Sequence, residues 1–151
     1  MNNLDADMIR TLVREVLTEQ LLKSEDQTKM VDPSGILSIK LPQLDVSEED
    51  RLDTGNPEHK VYCKDLVTLK ESPRLGCGLM VMEDTTFDWL LEYDEVDYII
   101  EGQLGVRIDG RTVSAGPGEI LLILKGSAIQ FSVTGKARFV YVTYPADWQK
   151  Q

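Results

Sequence analysis

Histidine is almost missing from this chain of 151 residues: there is one, His59, beside two cysteines, Cys63 and Cys77. One histidine cannot furnish a multi-histidine metal site, and a serine triad would have to use that single ring. It lies in the turn-like segment Gly55-Asn56-Pro57-Glu58-His59 and reads as a solvated loop residue. Two cysteines are too few for a disulfide framework. With strand-like surroundings and no signal peptide, they fit buried, reduced thiols of an intracellular protein. Long apolar runs are missing too. The longest, Ile120 to Leu124, falls far short of the roughly 20 residues that span a bilayer, so no membrane protein is expected. Positive charge is scarce, 16 Lys+Arg against 26 Asp+Glu, for a net charge of −10. So acidic a chain repels a phosphate backbone, which excludes a nucleic-acid-binding module. Metal chemistry, if any, has to rest on carboxylates, which suit hard cations such as magnesium or manganese.

What is present begins with a helix. Leu4, Met8, Ile9, Leu12, Val13, Val16, Leu17 and Leu21 recur at spacings of three and four, one apolar stripe on a helical surface. Asn2, Asn3 or Asp5 would cap its start, and Asp5 and Asp7 suit the positive end of its dipole. A polar stretch, Ser24 to Lys29, breaks the pattern, and Asp32-Pro33-Ser34-Gly35 reads as a turn. An amphipathic helix on a polar tether needs a surface to cover its stripe: another copy, the rest of this chain, or a foreign protein. The expected organisation is therefore an amphipathic helix and tether over residues 1–35, followed by one domain over 36–151.

From Ile36 the apolar period changes to two. Leu75, Cys77, Leu79 and Val81 share one parity, and Leu104, Val106 and Ile108 alternate with Gln103, Gly105 and Arg107. Val140 and Val142 alternate with Phe139, Tyr141 and Thr143. Turn dipeptides punctuate these short strands, among them Glu101-Gly102, Asp109-Gly110, Lys125-Gly126 and Thr134-Gly135. Short strands with frequent turns indicate an all-β barrel or sandwich. Asp109-Gly110 is a tight-hairpin signal, because a type I′ turn needs positive φ at both central positions. The expected fold class is all-β, a double-stranded β-helix or jelly-roll barrel, preceded by one short amphipathic α-helix.

The segment Asp94 to Gly102, with Glu95 followed after six residues by Gly102, resembles the first motif of the cupin superfamily. Gly118-Glu119-Ile120-Leu121-Leu122-Ile123-Leu124-Lys125-Gly126 resembles the second, with Leu124 where proline is usual. The usual cupin histidines are missing. The two registers of the first pair give Asp88 and Leu90, or Trp89 and Leu91, and the late histidine position is Ile129. No histidine-ligated metal is expected, which argues against oxidative cupin chemistry.

The wording Trp89 to Gly102, together with Leu124-Lys125-Gly126-Ser127 and Val140 to Gln149, resembles the ethanolamine-utilisation protein Q (EutQ) family from about Ile36 to Trp148. That resemblance implies a place in ethanolamine catabolism, in the cytoplasm and associated with a bacterial microcompartment. It also implies acetate kinase activity, interconverting ATP plus acetate with ADP plus acetyl phosphate, and a homodimer. In that setting the stripe over residues 4–21 is similar in type to short helices that direct cargo to a microcompartment shell protein.

Phosphoryl transfer needs positioning, charge neutralisation and usually a divalent cation. No Walker-type glycine loop is present. What the chain offers is an acidic cluster, Glu92, Asp94, Glu95 and Asp97. By strand parity Glu95 and Asp97 point the same way, and they are the candidate ligands for Mg2+ or Mn2+ bridging nucleotide phosphates. Glu92 and Asp94 read as solvated turn residues. Tyr93 would donate a hydrogen bond into the site, and Trp89 would stack on a base or seal out water. Lys125 or Arg107 would pair with a phosphate. Two other classes compete with the kinase. One is a non-catalytic binding or assembly protein tethered to the shell by its helix. The other is a sugar-type isomerase using Tyr93 or Tyr98 with Glu95.

Overall fold

Turns and strand edges define this chain more than helix does. A computed structural model describes residues 6–25 and 28–150, which form two compact units divided after Asp45. In the first unit, α1 spans Ala6–Glu25. Met8, Ile9, Leu12, Val13, Val16 and Leu17 recur on one stripe, and all are exposed. Leu4 and the capping candidates Asn2, Asn3 and Asp5 lie outside the described residues, as does the side chain of Leu21. The helix runs on through Ser24 and Glu25, which the sequence had placed in the tether. Strand β1 (Lys29–Val31) then pairs antiparallel with β2 (Leu37–Ile39) across the expected Asp32–Gly35 turn. That turn is closed by the Ser34 amide donating to Asp32 Oδ1 at 2.9 Å and by Gly35 at φ 90°. A strand of three residues has too little alternation to be read from sequence, which is why β1 was missed. Among the described residues, no helix is long and apolar enough to cross a membrane.

The second unit is built on one antiparallel sheet of seven strands: β3 (Lys60–Asp65), β4 (Gly76–Leu90), β5 (Asp94–Glu101), β6 (Leu104–Ile108), β7 (Arg111–Ala115), β8 (Ile120–Ile123) and β9 (Ala128–Tyr144). The path runs β3-β4-β9-β5-β8, and the β6–β7 hairpin joins it along β9. The barrel expectation is corrected here. β3 pairs with β4 alone among these strands, β8 with β5 and β7 with β6, so the sheet keeps open edges and does not close.

The physical reason lies in the two long strands. β4 and β9 pair from Gly76↔Thr143 to Leu90↔Ala128, interrupted at Glu83/Thr85. There Asp84 takes φ 38° and its carboxylate accepts the Gly135 amide at 2.6 Å. Such an irregularity bends and twists a strand pair. One pair of strands thereby serves two arms, with β3, β5 and β8 on one and β6 and β7 on the other. The arms meet through side chains. Met80, Ile99, Phe139 and Tyr141 from one and Phe87, Leu104, Val106 and Phe131 from the other belong to a single core cluster.

Two turns have the geometry their residues imply. Asp109 and Gly110 take φ 49° and 73°, the two positive values the hairpin needs. Gly102 takes φ 74°, and a Cβ there would collide with the backbone carbonyl of Lys136, whereas at Gly110 nothing lies within 4 Å. The same backbone angle thus carries different steric demands. Gly110→Ala should cost about 1–2 kcal/mol, the left-handed penalty alone. Gly102→Ala should cost clearly more, because strand β9 must also shift; urea unfolding of the two variants reads the difference directly.

Candidate functional site

Strand alternation and register together create the site. On the inner face of the sheet, Gly76, Thr143, Glu95 and Ile123 form one cross-strand row, and Asp65, Gly78, Tyr141, Asp97 and Leu121 the next. Glu95 and Asp97, two residues apart on β5, therefore face inward together. Both are buried, at 3% and 0% exposure. Gly78 is needed in its row because a Cβ there would run into the Tyr141 ring. That ring lies across the gap, and its hydroxyl donates to Asp65 Oδ1 at 2.9 Å.

Aromatic side chains roof the carboxyls. Trp89 Nε1 donates to the Tyr93 hydroxyl at 2.8 Å, which orients both rings. The Trp148 ring, from a single turn of 3-10 helix at Trp148–Lys150, stands 5.6 Å from Tyr93, 5.9 Å from Tyr141 and 6.4 Å from Trp89. With Met80, Phe87 and Phe131, these rings and Glu95 enclose a chamber of about 10 Å³, room for about one water. Beyond Trp148 opens a hollow of about 490 Å³, walled by Arg51, Trp89, Glu92, Tyr93 and Trp148.

The electrostatics of the chamber follow from burial. Desolvation pushes the Glu95 carboxyl up to about 7, and it pushes Asp97 well above the usual carboxylate range with the Glu95 charge adding to it. No donor reaches Glu95 Oε1 or either Asp97 oxygen among the described residues, and the Thr143 hydroxyl is likewise unpartnered. Two carboxylates cannot donate to each other. Protonating one creates the missing donor, so near neutrality the pair holds a shared proton. Burial, then the Glu95 charge, raises the Tyr93 hydroxyl far out of the physiological range, so it stays a phenol and a donor. Burial and the same charge keep the Cys63 thiol protonated, which removes it as a nucleophile.

Among the described residues, no group of three or more His, Cys, Asp or Glu side chains could hold a metal. The oxygens of Glu95, Asp97 and Thr143 nevertheless fit a hard cation by chemistry. They are oxygen donors only, buried and unpartnered, and magnesium commonly takes just one or two protein carboxylates with other oxygens completing its shell.

The structure brings Trp89, Tyr93 and Glu95 together and sets Asp97 behind them. Lys125 is elsewhere: its side chain is exposed on the turn after β8 and lines neither the chamber nor the outer hollow. Its amide donates to the Asp94 carboxylate at 2.8 Å; Asp94 is exposed as expected, but it opens strand β5 and is not in the turn. Glu92 is exposed on the rim of the hollow. Arg107 lines a separate open hollow of about 560 Å³ together with Arg111 and Trp89. His59 is less solvated than expected, with Nδ1 2.8 Å from Thr54 Oγ1 and its ring 6.2 Å from Phe87. The sequence reading missed Tyr141, Thr143 and Trp148 as site residues. Alternation put Tyr141 and Thr143 on one face, but only the register of β9 against β5 reveals that the face is this one.

An antiparallel sheet folded on two long strands, with a buried acidic pair on its inner face and no histidine beside it, defines a protein of the cupin kind without the histidine metal centre. The cupin domain of Schizosaccharomyces pombe Cnp3 shares the fold alone: TM-score 0.56 at 13% identity, over 75% of this chain and 77% of that one. The family described as ethanolamine utilisation protein EutQ matches residues 2–150, and the chain belongs to it. It is 59% identical over 154 residues to a Clostridioides difficile protein named acetate kinase EutQ, covering 100% of this chain and 98% of that protein. A solved structure of Clostridium difficile EutQ superimposes with a TM-score of 0.80 at 66% identity, over 82% of this chain and 90% of that one. The Escherichia coli K12 acetate kinase EutQ is 35% identical over 144 residues, 94% of this chain, which spans only 61% of that longer relative.

The sign of the pH dependence follows from the raised Glu95. Below pH 4.5 the folded and unfolded chains both hold its proton. Between 4.5 and about 7 only the folded chain does, so stability falls as pH rises, and the raised Asp97 adds a loss of the same sign. Glu95→Gln should flatten this slope and raise Tm at pH 8 by about 2–8 °C, measured by thermal unfolding from pH 4 to 8.

Proposed function

We propose that this chain is a phosphotransferase of acetate kinase type, interconverting ATP plus acetate with ADP plus acetyl phosphate. Its setting would be ethanolamine catabolism in the cytoplasm, in association with a bacterial microcompartment. The observation that carries the activity is the whole-length relationship to the Clostridioides difficile protein of that name. In the reaction an acetate oxygen attacks the γ-phosphorus as the bond to the ADP oxygen breaks, so the protein's task is chiefly positioning and charge neutralisation.

Glu95 and Asp97 would hold Mg2+ or Mn2+ through oxygen. When bound, such a cation neutralises phosphate charge and polarises the phosphoryl oxygens. Because the carboxyl pair holds a shared proton near neutrality, cation binding must expel it, and affinity rises with pH. Tyr93 accepts the Trp89 N–H, which leaves its own proton to donate to a substrate oxygen. Trp89 offers a ring face at the outer hollow, where a nucleotide base would stack.

The partners follow from exposed apolar surface. Tyr98 pairs with Ile120 and Val96 with Leu122 on the outer face of β5 and β8, and Tyr98, Ile120 and Leu122 are all exposed. A patch of this kind on an edge strand supports a homodimer. The exposed stripe of α1 supports docking of residues 4–21 on a microcompartment shell protein. It is also what favours the second reading, a non-catalytic assembly protein whose helix is the working part.

Incubated with acetyl phosphate and ADP, the purified chain should form ATP only with magnesium present. Glu95→Gln and Asp97→Asn should lower that rate by about 100-fold or more, the loss of at least 2.7 kcal/mol of transition-state stabilisation, while still melting cooperatively. Equal ATP from wild type and both variants would remove the carboxyl pair from the mechanism. Deleting Met1 to Leu22 should abolish co-sedimentation with shell protein and leave ATP formation unchanged. Shell association lost in a chain that never makes ATP would establish the assembly reading instead.

A further inference from the structure

The carboxyl pair lies under a plug. Leu52, Trp89, Tyr93 and Trp148 line both the 10 Å³ chamber around Glu95 and the 490 Å³ hollow outside it, so they form the partition between the two. Three of the four are tied down. Leu52 is held by its amide, which donates to the Val61 carbonyl at 2.9 Å; Trp89 lies on β4, and its indole is bonded to Tyr93, which leads into β5. Trp148 is different. It sits on a terminal 3-10 turn held by the Lys150 amide on the Asp147 carbonyl at 3.2 Å and an exposed Lys150–Asp147 ion pair at 3.1 Å. Its side chain is buried through ring contacts with Trp89, Tyr93 and Tyr141. The side chain is held by packing, and the exposed ion pair of its turn contributes little. Lifting a single turn exposes far less surface than unfolding the sheet beneath, so it costs less.

We propose that Trp148 is the gate of this site: the Trp148–Lys150 turn lifts as a unit, joins chamber and hollow into one cleft, and so gives substrates access to Glu95, the carboxyl that lines the chamber. The proposal rests on the reading that these carboxyls are the reacting site, and deepens it by naming what controls access to them. Nothing of phosphoryl size fits a 10 Å³ chamber, so the structure described here is the closed state. Closing after substrate enters would also exclude water, which otherwise competes with acetate for the phosphoryl group.

Carboxyl labelling tests this without any need for activity. A water-soluble carbodiimide couples an added amine to accessible carboxylic acids, and peptide mass spectrometry reads the rate at Glu95. In the wild-type chain that rate should be slow but independent of urea below the unfolding transition, the mark of local opening. Trp148→Ala should raise it at least tenfold in a chain that still melts cooperatively, with Trp148→Phe between the two. Should wild-type labelling instead climb with urea in step with global unfolding, the turn does not open and the gate is wrong. Equal rates in wild type and Trp148→Ala would equally overturn it, since Trp148 would then cover nothing. If Trp148→Ala unfolds, the urea dependence of wild type and the Trp148→Phe rate still decide. Failure of the wild-type chain to make ATP would sink the kinase reading and leave these labelling rates as they stand.

Discussion

The pairing of β4 with β9 is the interaction on which the remainder depends. These two strands run side by side from Gly76↔Thr143 to Leu90↔Ala128, and every other strand of the unit except β7 and β8 bonds directly to one of them. Their shared irregularity at Asp84 and Gly135 turns one sheet into two facing arms. A closed barrel would have removed the edges by backbone pairing. Here side chains do the closing, and the core formed by Phe87, Phe131, Phe139 and Tyr141 takes the place of the missing ladder bonds.

Within that frame the carboxyl pair runs against stability. Burying two acids with three oxygens unpartnered costs on the order of 1–3 kcal/mol for each unsatisfied group, and only a shared proton relieves it near neutral pH. A protein under no other demand would place leucine there. The surroundings are instead shaped to keep the pair: Gly78 leaves room for Tyr141, Trp89 orients Tyr93, and the aromatic roof holds water back. A cation would satisfy the same oxygens that a proton satisfies at lower pH. The cost of the empty pair and the affinity of the occupied one have one origin.

The absence of the usual cupin histidines bears on which metal such a site could hold. Imidazole ligands favour borderline transition metals, whereas carboxylate and hydroxyl oxygens favour hard, redox-silent cations. Hard cations are the ones that accompany nucleotide phosphates. At the positions where the cupin resemblance would place histidines, Trp89 and Leu91 in one register, the side chains belong to the core or pack against it. Trp89 on β4 belongs to an aromatic wall, and the acidic pair lies on the next strand in sequence, β5.

Sequence alone determined what depends on local chemistry. The α1 stripe, the positive-φ turn at Asp109-Gly110, the glycine at 102 and the common facing of Glu95 and Asp97 all follow from periods of 3.6 and 2 or from the backbone freedom of one residue. The cupin resemblance was legible in the spacing of Glu95, Gly102, Gly118 and Gly126, and the family in the particular wording of Trp89 to Gly102, Leu124 to Ser127 and Val140 to Gln149. Tertiary structure decided what depends on register and on distant segments. Whether the strands close into a barrel is set by which edges meet, and no strand carries that information in its own alternation. Trp148, 53 positions from Glu95 in the numbering, becomes the roof of the site only because the β9 register carries the end of the chain over β5. The same register buries Asp97 and leaves Lys125 outside. Burial, and not residue type, made one of those two charged groups part of the site and the other part of the surface.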